Sequence, residues 1–331
     1  MGFRISINGG ARTLSAEGSQ SLLAALKAAG LAIPSACGGR GRCGLCRVKL
    51  AQELPRNELE AKRLSEPGWH LACQVPVDRD LEVELPPELV KARDFRARVT
   101  ALEPLTHDIR HLHLELLDGA RAEFIPGQYM QFELPPEFCH AGRPVTRTYS
   151  LASPRREPHR LSFMIRLVPN GLCTTWIFTK LQVGDVVRLT GPFGDFHLRD
   201  GRRELLFIAG GSGLAPFASI LDDMRQRQDP RRTRLFFGAR SRRDLYWLGP
   251  LAEFERRLPD FRFIPALSEP QPADGWTGEA GLITEAVARH CAAATALQAY
   301  LCGPPGMVDA CIALLAQRGL PSDQIFFDKF A

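Results

Sequence analysis

The sequence predicts a multidomain protein of the α+β and α/β classes, with three domains at residues 1–92, 93–200 and 201–331. The first range contains short strands arranged around one helix. The second contains short alternating strands separated by turn residues, as in an antiparallel β-barrel. The third alternates strands with helices, which is typical of a doubly wound parallel sheet covered by helices on both faces.

The bulk composition excludes several classes of function. Apolar residues make up 45% and charged residues 24% of the 331 positions, as in ordinary globular proteins. The net charge of +5 comes from arginines scattered through all regions, so nucleic acid is not an expected partner. No apolar run approaches the roughly 20 residues that cross a bilayer, and "MGFRISI" contains no cleavable apolar segment. We therefore expect a cytoplasmic protein without stable membrane insertion.

The first predicted domain opens with the strand "FRISI", followed by a helix that ends at Gly30. A cysteine-rich loop, the strand "CRVKL", a polar helix around "PRNELEAKRLSE" and the strand "LEVEL" come next. Two prolines at 86–87 and the charged "KARD" indicate a linker to the second domain.

Four cysteines have the spacing C-x5-C-x2-C, with 26 residues between the third and the fourth. Nine cysteines without a secretion signal favour metal or redox chemistry over disulfides. Zinc sites usually contain two C-x2-C-like pairs, and only one such pair is present, so zinc is the weaker alternative. A [2Fe–2S] cluster is favoured, because three thiolates lie on one tight loop and a fourth lies further along the chain. Glycines in the loop let the backbone aim N–H groups at the sulfurs, and nearby arginines stabilise the reduced cluster. The predicted ligands are Cys37, Cys43, Cys46 and Cys73; the glycines are Gly38, Gly39, Gly41 and Gly44, and the arginines are Arg40, Arg42 and Arg47.

The loop and its flanks, "PSACGGRGRCGLCRVKL…LACQV", resemble the plant-type ferredoxin domain that is fused to bacterial flavin reductases. This resemblance implies a β-grasp ferredoxin domain. Plant-type loops usually have four residues between the first two cysteines, whereas this loop has five. The five-residue spacing resembles the F subunit of the sodium-pumping NADH:quinone reductase.

The second predicted domain contains the motif "RTYS" on a barrel strand, from Arg147 through Thr148 and Tyr149 to Ser150. A diphosphate requires a cation and a flavin ring requires a flat partner; the alternative is that Tyr149 is an ordinary strand residue. The motif resembles the R-x-Y-S of the ferredoxin-NADP reductase superfamily. The resemblance implies an antiparallel β-barrel flavin domain, with Arg147 at the FAD pyrophosphate, Tyr149 on the flavin and Ser150 near the reactive nitrogen of the flavin.

Two further segments favour FAD over FMN. "RLVPNGLCTTWI", which begins at Arg166, has Gly171 and Thr174 at a predicted helix start, where backbone N–H groups bind phosphate. "GPFGDF" at 191–196 completes the barrel pattern of the superfamily. In the same domain, His111 and His113 lie two residues apart on one strand; a metal pair is conceivable, but solvent-facing histidines are the favoured interpretation.

The third predicted domain carries a glycine loop, "GGSGLAP", between a strand and a helix, the context that a dinucleotide-binding turn requires. "LCGPPGMVDA" ends another strand at the carboxyl edge of the sheet, where ligands bind. The candidate nicotinamide-binding residues are Gly210, Gly211, Gly213, Pro216, Cys302, Gly303 and Pro304. Cys302 could instead be a small buried apolar residue.

The superfamily resemblance implies that Cys302 lies near the reacting carbon of the nicotinamide and that a terminal aromatic covers the flavin. Phe330 is the candidate, Phe327 the competitor, and Asp328 a polar neighbour. The candidate catalytic residues are therefore Cys302, Phe330 and Ser150. In "FFGARSRRDLYW" the arginines could bind a ribose phosphate, but Asp244 and the motif as a whole favour NADH over NADPH.

The whole chain resembles the reductase components of bacterial multicomponent oxygenases, and "YLCGPPGMVDACIALLAQRGLPSDQIFFDKF" resembles the soluble methane and phenol monooxygenase reductases. The resemblance implies electron transfer from NADH through FAD and a [2Fe–2S] cluster to an oxygenase hydroxylase component or another protein acceptor. "ALSEPQPADGWTGEAGLI" is instead similar to the sodium-pumping enzyme, so a relative of the NADH-oxidising subunit of a membrane NADH:quinone reductase is the alternative. A redox sensor is the weakest hypothesis, because it requires neither a flavin barrel nor a nicotinamide loop.

Overall fold

Three separate β-sheets organise the chain, one within each predicted range. The structure is a computed structural model that describes residues 2–64, 66–139, 145–291 and 294–330. Within these residues, no helix has both the length and the apolar content that a membrane span requires. The predicted fold class is confirmed, while the exact domain boundaries stay a prediction.

The first sheet has five strands in the order β2-β1-β5-β3-β4. Strand β1 pairs antiparallel with β2 and parallel with β5, so the sheet is mixed. The strands are β1 (Gly2–Ile7), β2 (Arg12–Glu17), β3 (Arg47–Leu50), β4 (Trp69–Leu71) and β5 (Leu81–Glu84), and the helices are α1 (Leu22–Ala28), α2 (Glu58–Ala61) and α3 (Pro87–Lys91).

Helix α1 leads into the cysteine loop. Its N-cap is Ser21, whose hydroxyl accepts a hydrogen bond from the N–H of Ala24. Leu22 and Leu26 are buried against the sheet, and the helix gives way to Gly30 in the left-handed region at φ +77°. The predicted helix and its end are confirmed.

Two elements differ from the expectation. The polar helix around 55–66 is a single turn, α2, held by a capping box between Asn57 and Glu60. The segment predicted as a linker contains α3, and Leu89 of this helix is buried in the core of the first sheet. Pro87 is the first residue of this helix, a position at which proline is compatible with helical structure.

The second sheet is the antiparallel barrel sheet, with strand order β10-β7-β6-β11-β8-β9. On β7, Leu112, Leu114 and Leu116 are buried while the alternating residues are more exposed, which explains the period of two in the sequence. The elements are β6 (Arg93–Pro104), β7 (Ile109–Leu116), β8 (Tyr129–Glu133), β9 (Thr146–Ser150), β10 (Arg160–Arg166), α4 (Leu172–Thr179) and β11 (Val186–Phe193).

The third sheet is parallel throughout, with strand order β15-β14-β13-β12-β16-β17. Its strands are β12 (Glu204–Gly210), β13 (Thr233–Ala239), β14 (Phe261–Leu267), β15 (Glu279–Ala280), β16 (Leu297–Gly303) and β17 (Ile325–Lys329). Its helices are α5 (Ala215–Gln226), α6 (Leu248–Arg257), α7 (Ile283–His290) and α8 (Pro305–Gln317).

Alternate residues of β12 enter two different cores, as expected for helices on both faces of a sheet. Leu205 and Phe207 pack in a cluster with residues of α5 and α6. Leu206 and Ile208 pack in another cluster with residues of α7 and α8. Because both faces are covered, the strand is continuously apolar and buried after Glu204 instead of alternating.

By contact density the chain forms two compact units. One contains the ferredoxin-like sheet with two barrel segments: Met1–Ala97, Tyr129–Tyr149 and Val187–Gly194. The other contains Arg98–Gln128, Ser150–Val186 and Asp195–Ala331. Within the first unit, Tyr129 and Phe193 belong to the same buried core as β1 and α1.

Candidate functional site

The four predicted cluster ligands lie on and beside one loop of the first unit. The Sγ atoms of Cys37 and Cys43 are 3.4 Å apart, too far for a disulfide, whose S–S bond is about 2.05 Å. The loop can fold back on itself because Gly38, Gly39, Gly41 and Gly44 all have positive φ. At Gly41 an added Cβ would lie 3.0 Å from Gln74, so the loop also approaches the segment of the fourth cysteine closely.

The thiols of Cys46 and Cys73 form a second close pair. Their hydrogen bond lowers the pKa of Cys73 to about 6, and Gln74 Nε2, 3.3 Å from the Cys73 Sγ, contributes to the same shift. The same hydrogen bond, followed by burial, raises the pKa of Cys46. The four thiols thus form two pairs, and a [2Fe–2S] cluster has two irons with two cysteine ligands each. The donor set fits this cluster.

Hydrogen bonds join the residues just before Cys37 to the "RTYS" strand within the same unit. The Arg147 Nη1 donates to the carbonyl of Ala36 over 3.0 Å, and the Thr146 hydroxyl donates to the carbonyl of Ser35 over 3.2 Å. The N–H of Ser35 in turn donates to Gln131 Oε1 of β8 over 3.0 Å. The cysteine loop is therefore anchored directly to the strand that is predicted to bind flavin.

The rest of the motif is partly buried. Thr148 is half-buried, and the ring of Tyr149 meets that of Phe132 edge to face, with ring centroids 5.1 Å apart. Ser150, which begins a segment of the second unit, is buried.

In the second unit, the remaining predicted flavin residues are tied to local partners. Arg166 Nε donates to Asp108 Oδ2 over 2.7 Å. Gly171 is the N-cap of α4, as the sequence indicated. The Thr174 hydroxyl accepts from the N–H of Val168 over 3.1 Å, so it closes the turn before α4.

The two predicted nicotinamide loops meet backbone to backbone. Gly210 ends β12, Gly211–Leu214 form a 3₁₀ turn, and Pro216 lies in the first turn of α5. A Cβ on Gly213 would lie 2.1 Å from the carbonyl oxygen of Cys302, and one on Gly303 would lie 2.8 Å from that of Gly210. Pro304 is the N-cap of α8 and lies 3.2 Å from the position of a Cβ on Gly210.

Tyr246 is a residue of this region that the sequence interpretation missed. Its buried hydroxyl donates to the carbonyl of Gly211 over 2.8 Å, and burial raises its pKa. The signal was present in "DLYW", a tyrosine just after a strand of the sheet. Its partner is 35 residues away in the sequence, so only the tertiary structure shows the contact.

The C-terminal strand places Asp328 beside Cys302. The two residues pair across β16 and β17. Burial raises the pKa of Asp328 to about 6, and burial together with this carboxylate raises the pKa of Cys302 well above its usual value. Cys302 is therefore a neutral thiol at physiological pH.

The geometry also separates the two aromatic candidates. Phe330 is half-buried, and its N–H donates to the carbonyl of Gly303 over 2.9 Å. Phe327 is 48% exposed and lies under the Lys329 ammonium. Phe330 is the one beside the predicted nicotinamide loop, although its role stays a prediction.

Comparison with known proteins identifies the family. A 2Fe-2S iron-sulfur cluster binding domain matches residues 5–78, an oxidoreductase FAD-binding domain residues 96–198, and an oxidoreductase NAD-binding domain residues 207–312. The chain is 34% identical to the phenol 2-monooxygenase reductase component DmpP of Pseudomonas sp. (strain CF600), over 100% of this chain and 95% of that protein. The chain belongs to the iron–sulfur flavoprotein reductases.

Other relatives of this reductase fall into two groups. It is 34% identical to the propane 2-monooxygenase reductase component of Mycolicibacterium smegmatis, covering 88% of this chain and 86% of that one. It is 31% identical to the F subunit of the Na(+)-translocating NADH-quinone reductase of Pseudomonas aeruginosa, covering 98% and 90%. Among solved structures, the Amycolatopsis cytochrome P450 reductase GcoB matches with a TM-score of 0.80 and 32% identity over 99% of this chain and 98% of that one.

The cofactors of the reductase are a [2Fe–2S] cluster, FAD and NADH, as predicted. Among the residues that could discriminate NADH from NADPH, Asp244 caps its own turn by accepting from the N–H and hydroxyl of Ser241. Arg240 lies 3.5 Å from Glu269, and Arg242 donates to the carbonyl of Asp274.

The close contact at Gly213 predicts a strong effect of a single methyl group. Gly213→Ala would force the Cβ into the backbone of Cys302, so we expect a loss of stability of roughly 1–3 kcal/mol and weaker NADH binding. The measurements are the thermal midpoint and NADH titration of the flavin-loaded protein. Gly249→Ala is the control, because a Cβ there meets no atom within 4 Å. Equal midpoints for the two variants would contradict the close packing.

The raised pKa of Asp328 predicts that removal of its negative charge stabilises the fold by an amount that depends on pH. An acid whose folded pKa lies above its unfolded value stabilises the fold at low pH, and this contribution is lost as pH rises through about 6. Asp328→Asn should therefore raise the thermal midpoint relative to wild type more at pH 8 than at pH 5. Asp323→Asn removes a charge from an exposed residue and serves as control. A difference from wild type that is the same at both pH values would contradict the burial of the carboxylate.

Proposed function

We propose that this reductase supplies electrons from NADH to the hydroxylase component of an oxygenase. When bound, FAD accepts a hydride from NADH and the [2Fe–2S] cluster carries single electrons onward. The observation that carries the proposal is the anchoring of Ala36 and Ser35 by Arg147 and Thr146. The side chain of Arg147, on the predicted flavin strand, thereby binds Ala36, which directly precedes the predicted cluster ligand Cys37.

The residues of the chain have distinct parts in this proposal. Cys37, Cys43, Cys46 and Cys73 hold the cluster, and Gln74 stabilises the thiolate form of Cys73. We assign Arg147, Thr148, Tyr149, Ser150, Arg166, Gly171 and Thr174 to FAD. We assign Gly210, Gly211, Gly213, Pro216, Asp244, Cys302, Gly303 and Pro304 to NADH. Phe330, beside Gly303, would cover the flavin and yield to the nicotinamide.

Names of relatives support the oxygenase as partner. Reductase components of phenol and propane monooxygenases are similar over 88% or more of this chain. The F subunit of a Na(+)-translocating NADH-quinone reductase is similar over 98% of the chain, and its likeness keeps a quinone reductase complex as the second candidate. The two candidate functions differ in the electron acceptor, so NADH-driven reduction of purified hydroxylase or of quinone distinguishes them.

The loop around the cluster ligands carries exposed positive charge. Arg40 and Arg42 are both exposed, and the Nε of Arg40 is held by the carbonyl of Cys37 over 2.8 Å. Leu59, 40% exposed, lies 3.0 Å from the position of a Cβ on Gly41 and adds an apolar contact. A cationic rim around an apolar residue fits an acidic acceptor surface.

Removal of one cluster ligand tests the order of transfer. With Cys73→Ser we expect NADH-driven reduction of cytochrome c to be abolished, because the cluster lacks its fourth thiolate. Reduction of ferricyanide should remain, since this small acceptor can draw on the flavin directly. Cys139→Ser, outside the cluster loop, is the control. Loss of both activities in a folded, flavin-loaded variant would contradict the proposed order, as would unchanged cytochrome c reduction.

Charge reversal at Arg42 tests where the acceptor docks. Cytochrome c is basic, so Arg42→Glu should increase the rate of its reduction by a few-fold at low salt. The increase should vanish as salt is added, because the Debye length is only about 10 Å at 0.1 M ionic strength. Arg262→Glu makes the same charge change at an exposed residue of β14 and should leave the rate near that of wild type. Equal effects of the two substitutions would place the exit elsewhere.

A further inference from the structure

Three side chains outside the cofactor sites bring metal-ligand atoms together. Glu103 lies on β6, and His111 and His113 lie on the neighbouring strand β7. One ligand atom from each residue lies within 4.8 Å of the other two. Glu103 Oε2 lies 3.9 Å from His113 Nε2.

The two imidazoles share one face of β7 because they are two residues apart. Their ring centroids are 4.0 Å apart, with the planes inclined at 48°. The sequence favoured solvent-facing histidines, but the Nε2 atoms of both are buried and have no hydrogen-bond partner among the described residues. An unpaired polar atom away from water costs free energy, so two adjacent ones require an explanation.

The charge state of these groups suits a cation. Burial, together with the neighbouring His113, lowers the pKa of His111 to about 3. Burial also lowers the pKa of His113, against the opposing effect of Glu103. Both imidazoles are therefore neutral at pH 7 and can present a nitrogen lone pair, while the carboxylate of Glu103 is 62% exposed and free to turn toward them.

We propose that Glu103, His111 and His113 bind one divalent cation of the Zn²⁺ class. Two imidazoles and a carboxylate are zinc ligands, whereas Ca²⁺ and Mg²⁺ prefer oxygen donors throughout. Bond lengths of about 2.0–2.2 Å require the ligand atoms to come closer together, and the exposed Glu103 side chain supplies most of that movement. Three protein ligands leave one coordination position for water or a small anion.

Such an ion would fasten β6 to β7. In the register of β7 with β10, His111 lies opposite Met164 and His113 opposite Ser162, and the pairing ends with Ile109 opposite Arg166. The ion would therefore steady the edge of the sheet that carries Arg166 and its partner Asp108. Zinc has no redox chemistry, so its contribution is structural and separate from electron transfer.

Calorimetric titration with Zn²⁺ tests the site in the holoprotein, where cluster and FAD are loaded and the cluster cysteines are occupied. Wild type should bind one equivalent. His111→Gln and His113→Gln should each weaken Zn²⁺ binding by at least about 10–100-fold, the loss that even an indirect supporting residue causes. His159→Gln, at an exposed histidine, is the matched control and should bind like wild type.

A second readout separates this site from adventitious binding to the remaining thiols. Zn²⁺ should raise the thermal midpoint of wild type and of His159→Gln but not of the His111→Gln/His113→Gln double variant. Anomalous scattering at the zinc edge should place the ion between the three side chains. The proposal is overturned by an absence of saturable binding, by binding that survives the double substitution, or by affinity unchanged in Glu103→Gln.

Discussion

The hydrogen bonds between the "RTYS" strand and the cysteine loop are the constraint on which the rest of the first unit depends. Ser35 and Ala36 have no helix or strand of their own, and their carbonyls are satisfied by Thr146 and Arg147. The N–H of the buried Ser35 is satisfied by Gln131. Because buried backbone groups must be paired, these bonds hold the start of the loop in one conformation.

This anchoring explains why segments of the barrel belong to the same compact unit as the ferredoxin-like sheet. Tyr129 and Phe193, from β8 and β11, are buried in the core that α1 and β1 also form. A domain boundary predicted from the sequence alone assigns each continuous stretch of chain to one domain. Packing instead follows the side chains, and two barrel segments pack with the N-terminal sheet.

In the second unit, the equivalent constraint is the close approach of two backbone segments. Gly213 and Gly303 have no side chain because each meets a carbonyl oxygen of the opposite loop, that of Cys302 or of Gly210. The buried surroundings of this edge also set its electrostatics, because they keep Cys302 neutral and hold a proton on Asp328 up to about pH 6. Apolar packing around the predicted nicotinamide loops therefore gives both the shape and the charge state of this region.

Sequence by itself determined the elements whose information is local. The cysteine spacing, the period of two on β7, the glycine turn after β12 and the cap of α1 are all encoded within a few residues, where sterics and hydrogen bonding act directly. The order of the three sheets along the chain followed from the same patterns. Local patterns were less informative about short elements, since the polar helix around 55–66 is a single turn and the predicted linker contains the helix α3.

Tertiary structure alone decided which distant residues meet. Arg147 lies 111 residues from Ala36, and Tyr246 lies 35 residues from Gly211, so neither pair has a signature in a short window of sequence. The same is true of Glu103 and the two histidines, whose ligand atoms converge only because β6 and β7 are neighbours in the sheet. Strand order and register are global properties, set by the burial of whole sheet faces, and a local pattern does not contain them.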